Sequence, residues 1–286
     1  MTQKERAQIV LDRLHQHIPE PETELDYRNE FELLVAVVLS AQCTDKRVNM
    51  VTPALFEAYP TAAAMAQAEV EDIFPYIRSV SYPNNKAKAL AKLGRQLVEH
   101  HDGQVPERHD QLVKLAGVGR KTANVVVAVA FDEPAIAVDT HVFRVANRIG
   151  LVNDKPTPLA VEKGLHRVLP KDEWGEAHHL LILLGRYTCT ARSPKCDRCP
   201  LAHPEGDEPV CRYFAKLQSL PEPRTGLNKR KGAYFCATHK GYFDVPSSRE
   251  DRRGVEQTAC PRCGSMNVFL TKTGETTKRV KDYRIG

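Results

Sequence analysis

The sequence predicts an all-α body followed by a small β module, and three observations carry that reading. Apolar residues in the first 215 positions recur at helical spacing, without a convincing strand-like alternation. The Pro-rich, Gly-containing and basic stretch "QSLPEPRTGLNKRKG" (218–232) then reads as a linker. Beyond it, "AYFCATHKGYFDVP" and "SMNVFLTKT" alternate aromatic or β-branched residues with polar ones, as short strands do.

Each element follows from its local chemistry. The start, "MTQKERAQIVLDRL", is charged and amphipathic, unlike a signal peptide with an apolar centre. No apolar run approaches the roughly 18 residues a membrane span needs, so a cytoplasmic, nucleoid-associated location is expected. "EFELLVAVVLSAQ" (30–42) is apolar nearly all round, the pattern of a buried helix. Thr52-Pro53 and Thr157-Pro158 each read as an N-cap with a first-turn proline, opening short helices. Leu90, Leu93 and Leu97 stripe a helix opened near Asn85 and closed near Gly103. Val142, Val145, Ala146 and Ile149 give another helix an apolar face, closed by Gly150. "EWGEAHHLLILLGRY" supplies a last long helix running straight into Cys189.

Charge and cysteine are both unevenly distributed. From Lys216 onward there are 15 Lys plus Arg against 7 Asp plus Glu, whereas the first 215 residues hold 26 against 29. A mildly acidic body with a basic tail suggests a polyanion reached through the tail; a merely solvated tail is the alternative. Of eight cysteines, Cys43 stands alone in an apolar segment and reads as a packed thiol. The others cluster, which in a reducing compartment points to metal ligands before disulfides.

Cys189, Cys196, Cys199 and Cys211 follow the spacing C-x6-C-x2-C-x11-C, with His203 as an alternative fourth ligand. Spacing alone allows a zinc ion or an iron–sulfur cluster, although a zinc ribbon usually brings two close pairs and only one is present. Arg192, Lys195 and Arg198 make that loop basic, suited to lie against phosphates. In the tail, Cys236, His239, Cys260 and Cys263 form C-x2-H and C-x2-C pairs separated by x20, which fits one structural Zn2+ in a zinc-ribbon arrangement. Zinc also accounts for the folding of a segment of roughly fifty residues, too small for a sufficient core.

The segment "QLVKLAGVGRKTANVVVAVAF" (111–131) carries the chemistry. A helix ending near Leu115 is followed by Gly117-Val118-Gly119 and a second, valine-rich helix. Two glycines allow positive φ and turn backbone N–H groups outward, a surface that suits phosphate. A helix–hairpin–helix holds a DNA backbone in this way without reading sequence, whereas a tight corner between helices would need the same glycines. Lys121 sits in the first turn of the second helix, where a cation opposes the helix dipole. The same positive potential favours the free amine that a Schiff-base nucleophile requires; a lysine that only binds phosphate is the alternative. Asp139, in "AIAVDTHVFRVANRIG", is placed both to cap a helix and to face a cleft.

Together, "LSAQCTD", "LAGVGRKTANVVV", "AVDTHVFRVANR" and "HHLLILLGRYTC" resemble the endonuclease III family of helix–hairpin–helix DNA glycosylases with AP-lyase activity, over about residues 6 to 213. The resemblance implies a two-lobed fold: a six-helix lobe at 23–133 and an iron–sulfur lobe from 1–22 and 134–217; it does not cover the linker 218–232 or the module 233–286, which rest on composition and patterning alone. It implies Lys121 as nucleophile, Asp139 as catalytic carboxylate and Gln42 as the residue inserted into the duplex. Gly117, Gly119, Arg120, Arg192 and Lys195 become DNA contacts, and the four-cysteine loop carries one [4Fe–4S] cluster. The expected partner is double-stranded DNA with oxidised pyrimidines or abasic sites, bound by a monomer, and the tail module adds DNA or protein contacts. A non-catalytic DNA-binding regulator and a monofunctional mismatch adenine glycosylase are the alternatives. This sequence departs from the family's pattern at Ala116, where proline is usual, which predicts a looser hairpin. It departs again at "SYPNNKA" (81–87), where a glycine–aromatic stretch is usual, a change expected to alter the pocket wall and with it lesion preference, and in the long gap before Cys211.

Overall fold

The computed structural model describes residues 1–202, 210–219, 234–236, 238, 241–243, 247–250, 256–260, 262–265 and 268–270. His203, His239 and the linker lie outside the described residues. Backbone contacts divide the chain into two units, one formed by Met1–Asn147 and Leu151–Leu184, the other by Arg148–Gly150 and Gly185–Gly286.

The first unit is built around α2 (Glu30–Ser40), in which Phe31 to Leu39 are all buried. Asn29 caps it by accepting the Glu32 N–H at 2.9 Å, and the buried Glu32 carboxylate is matched by Arg28 Nε at 2.9 Å. Before it, α1 (Gln3–His17) starts in a reciprocal capping box between Thr2 and Glu5. After it come α3 (Asp45–Ala58), α4 (Ala62–Ala66), α5 (Val70–Ile77) and α6 (Pro83–His101). Leu90, Leu93 and Leu97 of α6 are buried as their spacing predicts, and α6 closes at left-handed Asp102 and Gly103. Gly94 lets α6 approach α4 closely, since a Cβ there would stand 2.7 Å from the Ala66 nitrogen.

One expected boundary is corrected. Thr52-Pro53 does not open a helix but lies within α3. Thr44 caps that helix eight residues earlier, accepting the Arg47 N–H at 3.3 Å, and buried Thr52 turns its hydroxyl back onto the Val48 carbonyl at 3.2 Å. Burial of Val48, Val51, Leu55 and Phe56 keeps the helix running through the proline. Thr157-Pro158 opens α10 (Pro158–Val168) as expected, with Thr157 accepting the Ala160 N–H at 3.2 Å.

The unit continues through α7 (His109–Leu112), α8 (Arg120–Ala130), α9 (Thr140–Ile149) and α11 (Trp174–Leu183). No helix among the described residues is long and apolar enough to cross a membrane. Past Leu183 the helix widens into a π turn, Leu184–Thr188, directly before Cys189. The second unit holds α12 (Arg212–Ser219) and five short strands: β1 (Tyr234–Cys236), β2 (Gly241–Phe243), β3 (Ser247–Glu250), β4 (Glu256–Ala259) and β5 (Val268–Leu270). β1 is central and antiparallel to both neighbours, with Cys236 opposite Gly241 and Val268. β3 and β4 pair separately, Ser247 opposite Ala259.

Candidate active site and metal centres

The turn before α8 sets the site's geometry. Gly117 has φ +77°, and a Cβ there would meet Ala89 Cβ at 3.0 Å and Val38 Cγ1 at 3.1 Å. Gly119, expected to share positive φ, is instead extended at φ −92° and forms the N-cap of α8. Nothing lies within 4 Å of where its Cβ would be, and no side chain caps the helix. Gly117 therefore serves conformation, whereas Gly119 leaves the helix N-terminus open to an approaching anion. Gly117→Ala is expected to lower stability by about 1–2 kcal/mol, the cost of a left-handed L-residue. Gly119→Ala should destabilise less but weaken duplex binding more. Urea melts and duplex titrations of the two variants check this contrast.

Ala116 does not loosen the hairpin as its replacement of proline suggests. Its N–H, which proline would lack, donates to Gln96 Oε1 at 2.7 Å, and Gln96 Nε2 donates to the Lys114 carbonyl at 3.3 Å. A side chain from α6 thus clamps the turn that proline would stiffen.

Lys121 is exposed in the first turn of α8, and Asp139 is half-buried at the start of α9. Asp139 Oδ1 accepts the His141 and Val142 N–H groups, each at 2.8 Å, so one oxygen caps the helix and the second is not used in the cap. Two buried polar side chains tie the surrounding segments together. Asn124, three residues after Lys121, donates to the Ile136 carbonyl at 2.8 Å. His178 hydrogen-bonds the Ala137 backbone and lies within electrostatic range of Lys121. Burial, reinforced by His179 and Lys121, holds the His178 imidazole well below its usual value, so it is neutral. Asn124 thereby fixes α8 to the segment leading to Asp139, and His178 fixes α11 to the same segment.

The remaining expected contacts divide. Gln42 is exposed and left-handed at φ 53°. Cys43 is half-buried and packs against the core. The Arg120 guanidinium is engaged with the buried Glu162 carboxylate, Nε to Oε2 at 3.2 Å, which raises its pKa. Arg192, Lys195 and Arg198 are exposed. Sequence patterns do not single out Gln96 or Glu162; Asn124 lies within "LAGVGRKTANVVV" and His178 within "HHLLILLGRYTC", and neither motif assigns them a partner.

In the second unit, Cys189, Cys199 and Cys211 are buried and Cys196 is half-buried. The π turn delivers Cys189, a 3-10 turn (Cys196–Arg198) leads to Cys199, and Cys211 immediately precedes α12. The Cys211 N–H donates to the Leu201 carbonyl at 3.1 Å, which returns the chain to the site across the long gap. Arg148 spans the loop, donating to the Thr190 carbonyl at 2.7 Å and the Ala191 carbonyl at 2.8 Å, with Nη1 3.6 Å from Cys189 Sγ. Burial, then neighbouring cysteines, push the Cys196 thiol up to about 11; burial and the same crowding push Cys211 to about 12. Such thiols ionise only when a cationic centre compensates them.

Sulfur spacing separates the two cysteine groups. Cys236, Cys260 and Cys263 place their sulfurs within 4.8 Å of one another, and they alone form such a group among the described residues. That matches a single tetrahedral ion, whose Zn–S bonds of about 2.3 Å hold sulfurs roughly 3.8 Å apart. The Cys260 N–H to Ser265 carbonyl and Gly264 N–H to Cys260 carbonyl bonds, each 2.8 Å, close a tight turn around this trio. The four cysteines at 189–211 are near enough to raise one another's pKa values, so one centre can take them together.

Comparison with known proteins bears on the hairpin, the helical body and the cysteine loop at 189–203. Residues 35–171 match the family model for the HhH-GPD superfamily base excision DNA repair protein. Residues 189–203 match the iron–sulfur binding domain of endonuclease III, so the loop is an iron–sulfur site. Endonuclease III of Bacillus subtilis is 49% identical over 201 residues, 70% of this chain and 92% of that protein. Endonuclease III of Escherichia coli is 46% identical over 208 residues, 73% of this chain and 95% of that protein. A solved endonuclease III trapped as a covalent intermediate with DNA superposes with a TM-score of 0.70 at 47% identity, covering 76% of this chain and all of that one. On identity sustained across hairpin, helical body and cluster loop, the chain belongs to the endonuclease III family.

Proposed function

We propose that this protein is a base-excision-repair DNA glycosylase and AP lyase acting on oxidised pyrimidines in double-stranded DNA. What supports the reading is one arrangement: Lys121 at the open N-terminus of α8, a helix that Asn124 ties to the segment presenting Asp139. The N–H groups beside Gly119 hold a phosphate and fix the strand without reading its bases; the Arg120 guanidinium, committed to Glu162, is left out of that role. The lesion leaves the stack at reduced cost because damage has weakened its pairing, and Gln42 enters the space vacated. The Lys121 amine attacks C1′ as the glycosidic bond breaks and the base departs with the electron pair. Asp139 takes the proton released by the amine or stabilises positive charge on the sugar. Ring opening leaves a Schiff base, and loss of the C2′ proton expels the 3′ phosphate. A non-catalytic binder has no use for Lys121 and Asp139 together. Borohydride reduction on an abasic duplex tests the reading, since the Schiff base becomes a permanent adduct and its absence with the native protein overturns the lyase assignment.

We assign lobes to 23–133 and to 1–22 with 134–217, a linker to 218–232 and the tail module to 233–286. Cys189, Cys196, Cys199 and Cys211 hold one [4Fe–4S] cluster, which acts as a staple for the loop bearing Arg192 and Lys195. Cys236, Cys260 and Cys263, joined by His239, hold one structural Zn2+ in the tail module. That module adds DNA-backbone contacts through its basic residues. Deleting 222–286 is expected to remove one zinc per chain, weaken duplex binding and flatten its salt dependence while single-turnover chemistry survives. An unchanged slope of affinity against salt assigns the module to protein docking instead.

A further inference from the structure

Lys86 is a buried cation, 7% exposed, and its recorded partners are backbone carbonyls rather than a carboxylate. Its Nζ donates to the Leu39 carbonyl at 2.7 Å and to the Ala41 carbonyl at 2.7 Å. These two oxygens straddle the end of α2, one inside the last turn and one just beyond it. A cation at a helix C-terminus satisfies orphan carbonyls and complements the helix dipole. Stability alone is a poor reason for it, because an apolar side chain would avoid desolvating an ammonium. Burial indeed pulls the Lys86 ammonium below the usual lysine value, opposed only by the nearby Cys43 thiol.

The residue immediately after the clamp is Gln42, exposed and left-handed at φ 53°. A glutamine has no intrinsic preference for that conformation, so the surroundings must impose it. The Cys43 N–H to Ser40 carbonyl bond at 3.0 Å closes the turn behind it. The same lysine belongs to the first turn of α6, where its own N–H donates to the Tyr82 carbonyl at 3.1 Å. Tyr82 is a second left-handed residue, at φ 57° and 62% exposed. One side chain thus ties the loop bearing Gln42 to a helix terminus 45 residues away in sequence.

We propose that Lys86 is a positioning residue for Gln42, clamping Leu39 and Ala41 so that the glutamine is held ready to enter the duplex before DNA arrives. This rests on Gln42 as the inserted residue. Preorganisation spares the ordering cost that a slack loop would incur on binding. Lys86 touches neither the lesion nor the sugar, and it acts only through the path of residues 39–42.

The test is a double-substitution cycle in the full-length protein, with Lys86→Met and Gln42→Ala singly and together. Each is read by single-turnover trapping on a lesion duplex, by fluorescence of 2-aminopurine opposite the lesion, and by melting. Lys86→Met, which keeps the stem and removes the donors, is expected to slow trapping by about ten- to a hundredfold and to blunt the fluorescence change, as small misplacements do. In the Gln42→Ala background, the same substitution should change the rate by less than about twofold, since the two residues act as a unit. A full Lys86→Met effect persisting in that background overturns the proposal and makes the lysine merely structural. An unimpaired Lys86→Met single variant overturns it too, while Gln42→Ala still measures the insertion reading. If Gln42→Ala alone leaves rate and fluorescence unchanged, the insertion reading fails and the clamp's role fails with it. Should Lys86→Met not fold, Lys86→Gln, which retains a donor for one carbonyl, enters the same cycle with the same expectation.

Discussion

Lys121→Ala abolishes the borohydride-trapped adduct on an abasic duplex, lowering strand cleavage by on the order of 10^4-fold or more, the scale seen when a covalent nucleophile is removed. Duplex binding should survive. The expectation follows from what each part of the hairpin does. The groups proposed to hold the phosphate are backbone N–H donors at an open helix terminus, and replacing a side chain leaves them in place. Lys121 is exposed and makes no side-chain hydrogen bond among the described residues, so its loss creates neither a cavity nor an orphaned partner there. Its first-turn position even opposes the helix dipole, and alanine relieves that conflict. Folding is therefore unaffected or slightly improved, and the loss of activity reads as chemistry. Adduct formation by Lys121→Ala at the native rate moves the nucleophile elsewhere; a large fall in melting temperature contradicts the structural account of the site.

Cys211→Ser is the second large effect, and it tests the long gap in the ligand spacing. The structure brings Cys211 back through its bond to the Leu201 carbonyl and buries it beside Cys189 and Cys199. Burial pushes this thiol to about 12, so only a cationic centre makes it a thiolate at neutral pH. A serine hydroxyl in the same place cannot ionise to replace it. The variant is expected to lose iron, inorganic sulfide and the visible absorption of the cluster, and the segment from Gly185 to Ser219 should become sensitive to protease. Cys43→Ser, a change at a core-packed thiol, should retain full iron. Full iron in Cys211→Ser would move the fourth ligand to His203. Trapping chemistry per correctly folded molecule should fall less than duplex affinity, since the cluster is assigned to hold a loop rather than to react.

Much of the fold was legible because its signals are local. A capping threonine, a proline in the first turn and an apolar stripe all act within four residues, and so α10, α6 and the buried α2 were readable. Pro53 shows the limit: the same Thr-Pro pair sits inside α3, because apolar burial on both sides outweighs one missing hydrogen bond. Helix α12 went unread, since eight residues around "RYFAKLQS" give too short a pattern to separate from loop.

The sequence by itself determined the helical body, the left-handed glycine of the hairpin and the positions of Lys121, Asp139 and the cysteines. These depend on backbone conformation, helix period and chemical type, which adjacent residues specify. Only the tertiary structure decided that Gly119 is extended, that Gln96 clamps the turn at Ala116, that Arg120 is committed to Glu162, and that Lys86 and His178 are buried beside the loops they hold. The physical reason is the same in each of the four side-chain cases. Whether a polar side chain is solvated or spent on a buried partner depends on which elements pack together, and these partners lie 20 to 47 residues apart wherever a distance fixes them. No local pattern reports that. The cysteine groups show both sides at once: spacing left zinc and cluster open at 189–211, where the family match makes the loop an iron–sulfur site, and only the tertiary structure brought Cys236, Cys260 and Cys263 together as a group compatible with one metal ion.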